Sequence, residues 1–170
     1  MYVFKIWRER LYRVERNFVQ KCTAKQRLIF EPITEHNAKE VIKLRGKEYL
    51  SQFHEQLREG DFGYFAYLDG NAVGYGWIKG KGAKDYFFDI KNDVKYLCRF
   101  FVHEDFRGQG IYPEIICALI EKAKENQVFY IAVEKGNQSS ERGLKKVGFE
   151  LVEEIKFVRI LKRTINKKSL

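Results

Sequence analysis

Apolar and polar residues alternate along this chain with a period that changes several times, and each change predicts an element. The run FGYFAYL, the turn Asp69-Gly70-Asn71 and the run AVGYGWI read as an antiparallel hairpin, because these turn residues tolerate the positive φ of a tight turn. YLCRFFV, residues 96–102, reads as a buried strand. Upstream, RLIFEP (residues 27–32) is a short strand. Thr34 then caps a helical stretch carrying Ala38, Val41, Ile42 and Leu44, and a second helix covers residues 47–58. Downstream, FRGQGIYPEIICALIEKAKE sets a glycine turn before a long helix, with Ile111, Ile115, Ala118 and Leu119 on one face. Strand VFYIAV, a turn at Gly136-Asn137, a helix to about Lys146 stopped by Gly148, and the hairpin FELVEEIKFVRILK complete the pattern.

The first segment is the most charged. Trp7, Leu11, Val14 and Phe18 follow one another at helical offsets with arginines on the remaining faces, so residues 6–18 predict a basic amphipathic helix.

A length of 170 residues fits one domain, and 45% apolar with 32% charged residues excludes a disordered or collagen-like chain. The formal charge of +9 is unevenly placed. Lys5, Arg8, Arg10, Arg13, Arg16, Lys21, Lys25 and Arg27 face only Glu9 and Glu15, and no acidic residue follows Lys156, so the central chain is slightly acidic. Two roles fit such termini: peripheral contact with an anionic surface, or solubilisation. Cys22, Cys98 and Cys117 have no CxxC spacing and predict a reducing, cytoplasmic home. His36, His54 and His103 form no zinc pattern, so no metal is expected. No apolar run is long enough to span a bilayer.

The chemistry concentrates where the strand ending at Val102 meets the loop HEDFRGQG and the helix from Ile111. Gly108 and Gly110 let the backbone approach an anion, the first helical turn presents free N–H groups with the positive end of the dipole, and Arg107 adds a full charge. Pro113 stands where a dinucleotide fingerprint has its third glycine, and no GK[ST] follows, so both nucleotide-loop readings weaken.

Through this loop the chain resembles the GNAT superfamily of acyl-coenzyme A dependent N-acyltransferases, over residues 27–163. Arg107, Gly108, Gln109 and Gly110 match the last four positions of that family's coenzyme signature, with Asp105 replacing the usual Gln or Arg. AVEKGNQSSERGLKKVGFE is similar to its later motif through Asn137, Ser140, Gly148 and Phe149. The resemblance implies an α+β fold: a mostly antiparallel twisted sheet of about six or seven strands with flanking helices. It divides the chain into a basic extension (1–26), an acyltransferase domain (27–163) and a basic tail (164–170). It further implies acetyl-CoA or another short acyl-CoA as co-substrate. Phe101 and Val102 would pair with the pantetheine arm, and Arg107 to Tyr112 with Asn137 and Ser140 would complete the coenzyme site. The implied reaction is direct attack of a primary amine on the thioester, without a Ser or Cys nucleophile, so Cys98 and Cys117 read as core residues.

An attacking amine must lose its proton, and the departing thiolate needs one. The family's frequent tyrosine acid falls on Leu144 here, which blocks direct transfer of that role. Asp93 and His103, flanking the central strand, are the candidate bases. The acceptor expected is a small-molecule amine, such as an amino sugar or surface-polysaccharide precursor; a homodimer is compatible with the chain. Two alternatives remain at this stage: a basic nucleic-acid or ribosome-associated binder on the same scaffold, and an inactive member of the family. No RNA-binding aromatic motif or helix-turn-helix spacing supports the former.

Overall fold

The computed structural model describes residues 4–80, 94–123, 127–160 and 163–168. The strands are β1 (Phe4–Glu15), β2 (Ile29–Pro32), β3 (Phe62–Leu68), β4 (Asn71–Ile78), β5 (Val94–Val102), β6 (Val128–Glu134), β7 (Glu150–Ile160) and β8 (Arg163–Lys168). The helices are α1 (Glu40–Leu44), α2 (Leu50–Arg58), α3 (Ile111–Lys122) and α4 (Gln138–Val147). Among the described residues eight strands join one sheet in the order β2-β3-β4-β5-β6-β1-β7-β8. Every neighbouring pair is antiparallel except β5 and β6, which are parallel because α3 carries the chain across between them.

Alternation along β3 sorts the core into two layers. Ala66 and Leu68 pack with Ile115, Leu119 and Leu144 of α3 and α4. Phe65 points the other way and joins Val41, Phe53, Tyr75 and Trp77 beneath α1 and α2. The predicted hairpin is present, with Asp69 and Gly70 at φ +49° and +78°. So is the stop at Gly148, where the backbone turns left-handed at φ +99°. The helix expected from Thr34 starts later, at Glu40, with Lys39 at its N-cap and no side-chain cap; Asn37 instead accepts from the Thr34 amide at 2.8 Å in the turn before it.

The expected basic amphipathic helix over residues 6–18 is corrected: this segment is β1, threaded between β6 and β7. The helical stripe is one of two periodicities in the same letters, and the period of two wins because both edges of the segment find a ladder. Tyr12 and Val14 enter the α3/α4 layer, Leu11 packs with Tyr96 on the other face, and Phe18, the last member of the stripe, lies exposed. The arginines are engaged within the fold. Arg10 pairs with Glu141 of α4 at 2.8 Å and with Glu154 of β7 at 3.3 Å, and Arg8 also reaches Glu154. Arg16 donates to the carbonyls of Ile120, Glu121 and Ala123, closing the C-terminus of α3. Residues 164–168 of the expected tail belong to β8, the outer strand against β7. Among the described residues no helix is long and apolar enough to cross a membrane.

Candidate functional site

The site begins where the sheet opens. Strands β5 and β6 pair only from Val94↔Val128 to Leu97↔Ile131, after which they part and β6 continues paired with β1. A bulge accompanies the parting: Tyr75 faces Phe101 and Trp77 faces Cys98, so two residues of β5 stand opposite Gly76. Arg99 is the inserted residue, with φ +54°. Counting without it restores the alternation, which sends Phe100 and Val102 to the α3 side and Phe101 to the α1/α2 side.

Backbone directions follow the same alternation. The Phe101 carbonyl faces β4, 2.8 Å from where a Cβ on Gly74 would sit, and His103 N–H donates to Val73 of that strand. The polar groups of Val102 therefore face the opened side, where its carbonyl accepts from Arg107 Nε at 3.2 Å.

After β5 the chain makes a short turn over Glu104–Phe106 and then enters the glycine loop. Gly108 and Gly110 adopt φ +76° and +86°, which glycine reaches without strain. A Cβ on Gly108 would meet nothing within 4 Å, so this backbone is open to an approaching ligand. Among the described residues none accepts a hydrogen bond from the N–H of Gly108, Gln109 or Gly110. The back of the loop is held by the segment joining β1 to β2. Lys25 N–H donates to the Gln109 carbonyl at 2.9 Å, Ala24 N–H donates to Glu114 Oε2 at 2.6 Å, and a Cβ on Gly110 would come within 3.2 Å of Ala24.

Between α3 and α4 lies a groove of about 570 Å³ that runs from the glycine loop to the opened edge of β5. It collects Phe101, Val102, Arg107, Gly108, Gly110, Ile111, Tyr112, Asn137 and Ser140 of the sequence-based set; Gln109 lies in the loop itself. Asn137 caps α4 by accepting from the Ser140 amide at 3.2 Å. Tyr112 stands edge-on to Phe100, centroids 5.2 Å apart, and its hydroxyl meets the Ser140 side chain. Burial pushes this phenol well above its ordinary value, the Ser140 hydrogen bond opposing only part of the rise. Gly143 makes room for the ring, since a Cβ there would lie 2.7 Å from Tyr112 Cδ1.

His103 is not among the lining residues. It lies at the loop end of β5, with Nδ1 3.4 Å from Asp105 and its ring edge-on to Phe106. Asp93 lies outside the described residues. Sequence reasoning passed over Ser139, Arg142 and Lys146, which line the groove from α4. Their helical spacing from Gly143 carried the signal, because one face of a helix must look along the groove. Cys117 packs against the joining segment, its thiol donating to the Gln20 carbonyl, and burial pushes it up to about 12.

The donor set suits a phosphorylated ligand: unpaired backbone N–H groups at a helix N-terminus, with Arg107, Arg142 and Lys146 around them. No curated protein matches the chain. Solved structures share the fold. A functionally unknown conserved protein from Staphylococcus epidermidis superposes with TM-score 0.68 at 17% identity, over 98% of this chain and 64% of that one. The tandem GNAT protein from the clavulanic acid biosynthesis pathway gives 0.64 at 15%, over 92% and 54%. This chain therefore spans less than two thirds of either. Aminoglycoside N-acetyltransferase AAC(6')-Iy, solved with CoA, gives 0.59 at 19%, over 75% and 90%. The model of the acetyltransferase (GNAT) family matches residues 30–149, and with the glycine loop and the parted strands inside that span, the chain belongs to this family.

Proposed function

We propose that this protein is an N-acetyltransferase that moves an acetyl or other short acyl group from acyl-coenzyme A to a primary amine. The observation that carries the reading is the coincidence, in one groove, of the open glycine loop with the edge of β5 that β6 leaves unpaired. When bound, the coenzyme supplies the thioester and takes up the leaving electron pair as thiolate. The N–H groups of Gly108, Gln109 and Gly110 hold its pyrophosphate, with Arg142 and Lys146 neutralising phosphate charge from α4. Val102, whose polar groups face the opened side, offers the pantetheine arm a ladder partner, while Phe101 presents its side chain to the opposite face.

Direct attack suits these residues. Cys117 stays a thiol near neutral pH because burial opposes its ionisation, which disfavours a covalent acyl-cysteine route. For the acceptor's proton, Asp93 and His103 are separated by substitution: a fall in kcat of about 100-fold or more in Asp93→Asn or His103→Gln identifies the base. Unchanged rates in both assign the proton to water. The aminoglycoside acetyltransferase neighbours favour an amino sugar as acceptor.

The reading is tested by calorimetry with acetyl-CoA and by thiol release over an amine panel. Gly108→Glu points a carboxylate into the open side of the loop, so binding should fall below detection. Wild-type protein that fails to bind acetyl-CoA, or Gly108→Glu protein that binds it equally, removes the foundation of the proposal.

A further inference from the structure

The α1/α2 face of the parting strands carries an arrangement that coenzyme binding does not use. Arg45, just after α1, lays its guanidinium 3.8 Å from the ring centroid of Tyr49 and 4.8 Å from that of Phe101. Its Nη1 donates to the Tyr75 hydroxyl at 2.7 Å, and the Tyr75 ring stacks on Phe101 with centroids 5.8 Å apart. Phe101 reaches this side because the Arg99 bulge re-phases β5. One residue of one strand thus joins the guanidinium to the place where the coenzyme arm would lie.

Among the described residues this guanidinium has no counter-charge. Tyr75 is fully buried, and burial raises its pKa despite the hydrogen bond from Arg45, so the phenol is neutral at physiological pH. Glu48, the nearest carboxylate in sequence, packs onto the backbone of Gly46. Among the described residues neither Arg45 nor Arg99 pairs with a carboxylate. Arg99 is exposed and near enough to bear electrostatically on Tyr75. Two arginines therefore stand near Tyr75 and Phe101. One is fixed by two rings and a phenol, and among the described residues most of its five donors are unused, the form in which arginine grips carboxylate or phosphate.

We propose that Arg45, assisted by Arg99, is an anion subsite for the acceptor, which is therefore an amine that also carries a carboxylate or a phosphate. The inference rests on the N-acetyltransferase reading above. Holding the anion on Arg45 would aim the amine at the gap between β5 and β6, and neutral amines would lack that grip.

The test is thiol release with acetyl-CoA over pairs of amines that differ only in the anion: amino acids with their amides, aminoalkyl phosphates with amino alcohols, phosphorylated with free amino sugars. The anionic member of at least one pair should win by about 10- to 100-fold in kcat/KM, and the pair with the larger preference distinguishes phosphate from carboxylate. In Arg45→Gln that preference should fall towards unity through KM, with Arg45→Lys restoring part of it. Arg99→Gln, at an exposed position, should reduce it several-fold and keeps the test readable should Arg45→Gln not fold. Neutral members that are acetylated equally well, or a preference that survives both substitutions, overturn the subsite. A second readout does not need turnover: the NMR signal of the Arg45 Nε–H, with coenzyme A present, followed on adding inorganic phosphate or acetate. A saturable shift supports the subsite and no shift overturns it. Failure to bind acetyl-CoA is read in its own titration and strikes the N-acetyltransferase reading instead.

Discussion

Replacing Gly143 by alanine probes how tightly the coenzyme groove is built. Position 143 lies inside α4, where alanine is favoured over glycine by about 1 kcal/mol. The added methyl, however, would sit 2.7 Å from Cδ1 and 2.9 Å from Cε1 of Tyr112. That ring has little room to retreat, with Phe100 edge-on to it and its hydroxyl tied to Ser140. Overpacking of this kind costs about 1–3 kcal/mol. The net effect of Gly143→Ala alone is then between neutral and a loss of about 2 kcal/mol. In a Tyr112→Leu background the obstruction is gone, and the same substitution should stabilise by about 1 kcal/mol. Urea unfolding of the four proteins gives the coupling, expected at about 1–3 kcal/mol. Gly143→Ala should also weaken acetyl-CoA binding, because a displaced Tyr112 ring enters the groove. Equal effects of Gly143→Ala in both backgrounds would refute the close contact and the role of Gly143 as the space for Tyr112.

Removal of residues 1–15 takes away β1 and with it the burial of Leu11, Tyr12 and Val14, each worth about 1.5–3 kcal/mol. The total rivals the whole stability of a domain, so the trimmed chain should lose its cooperative thermal transition in circular dichroism; a retained transition would contradict a central strand. Glu154 is held below its ordinary carboxylate value, first by hydrogen bonding to Lys135 and then to Arg10. A depressed carboxylate stabilises the fold above its unfolded pKa and loses that contribution as pH falls through the folded value. Glu154→Gln should therefore flatten the acid limb of a melting-temperature profile, and an unchanged limb would exclude the cluster as its source. Cys117, pushed up to about 12 by burial, should resist iodoacetamide in the native protein at neutral pH and react on unfolding; rapid native labelling, read by mass spectrometry, would disprove that burial.

The parts legible in the sequence are those specified locally. The Asp69-Gly70 turn, the glycine loop before Ile111 and the Asn137 and Gly148 ends of α4 each depend on a few neighbouring residues whose backbone preferences admit one conformation. β1 was not legible because Trp7, Leu11 and Val14 satisfy a helical spacing while Tyr12 and Val14 satisfy a strand. Only pairing with residues more than a hundred positions away decides between them. The Arg99 bulge escaped for a related reason, since a left-handed arginine leaves no mark in composition. Arg45 had no signal at all; an arginine after a short helix acquires meaning only when Tyr49, Tyr75 and Phe101 arrive from three other elements.

The placement of β1 also bears on how this chain reaches its fold. Its two partners, Val128–Glu134 and Glu150–Ile160, leave a ribosome long after it does. Loop-closure entropy over such separations slows folding. Until β7 emerges, β1 exposes an edge of unpaired backbone beside Leu11, Tyr12 and Val14, the kind of edge that recruits other chains. The arginines along β1 then have a role before the native state exists. A segment bearing Arg8, Arg10, Arg13 and Arg16 would repel its own copies while it waits; Arg13 has Glu15 beside it, whereas Arg8 and Arg10 meet Glu141 and Glu154 only when α4 and β7 arrive. The positive charge of β1 would thus disfavour premature association until the last steps of folding pair part of it.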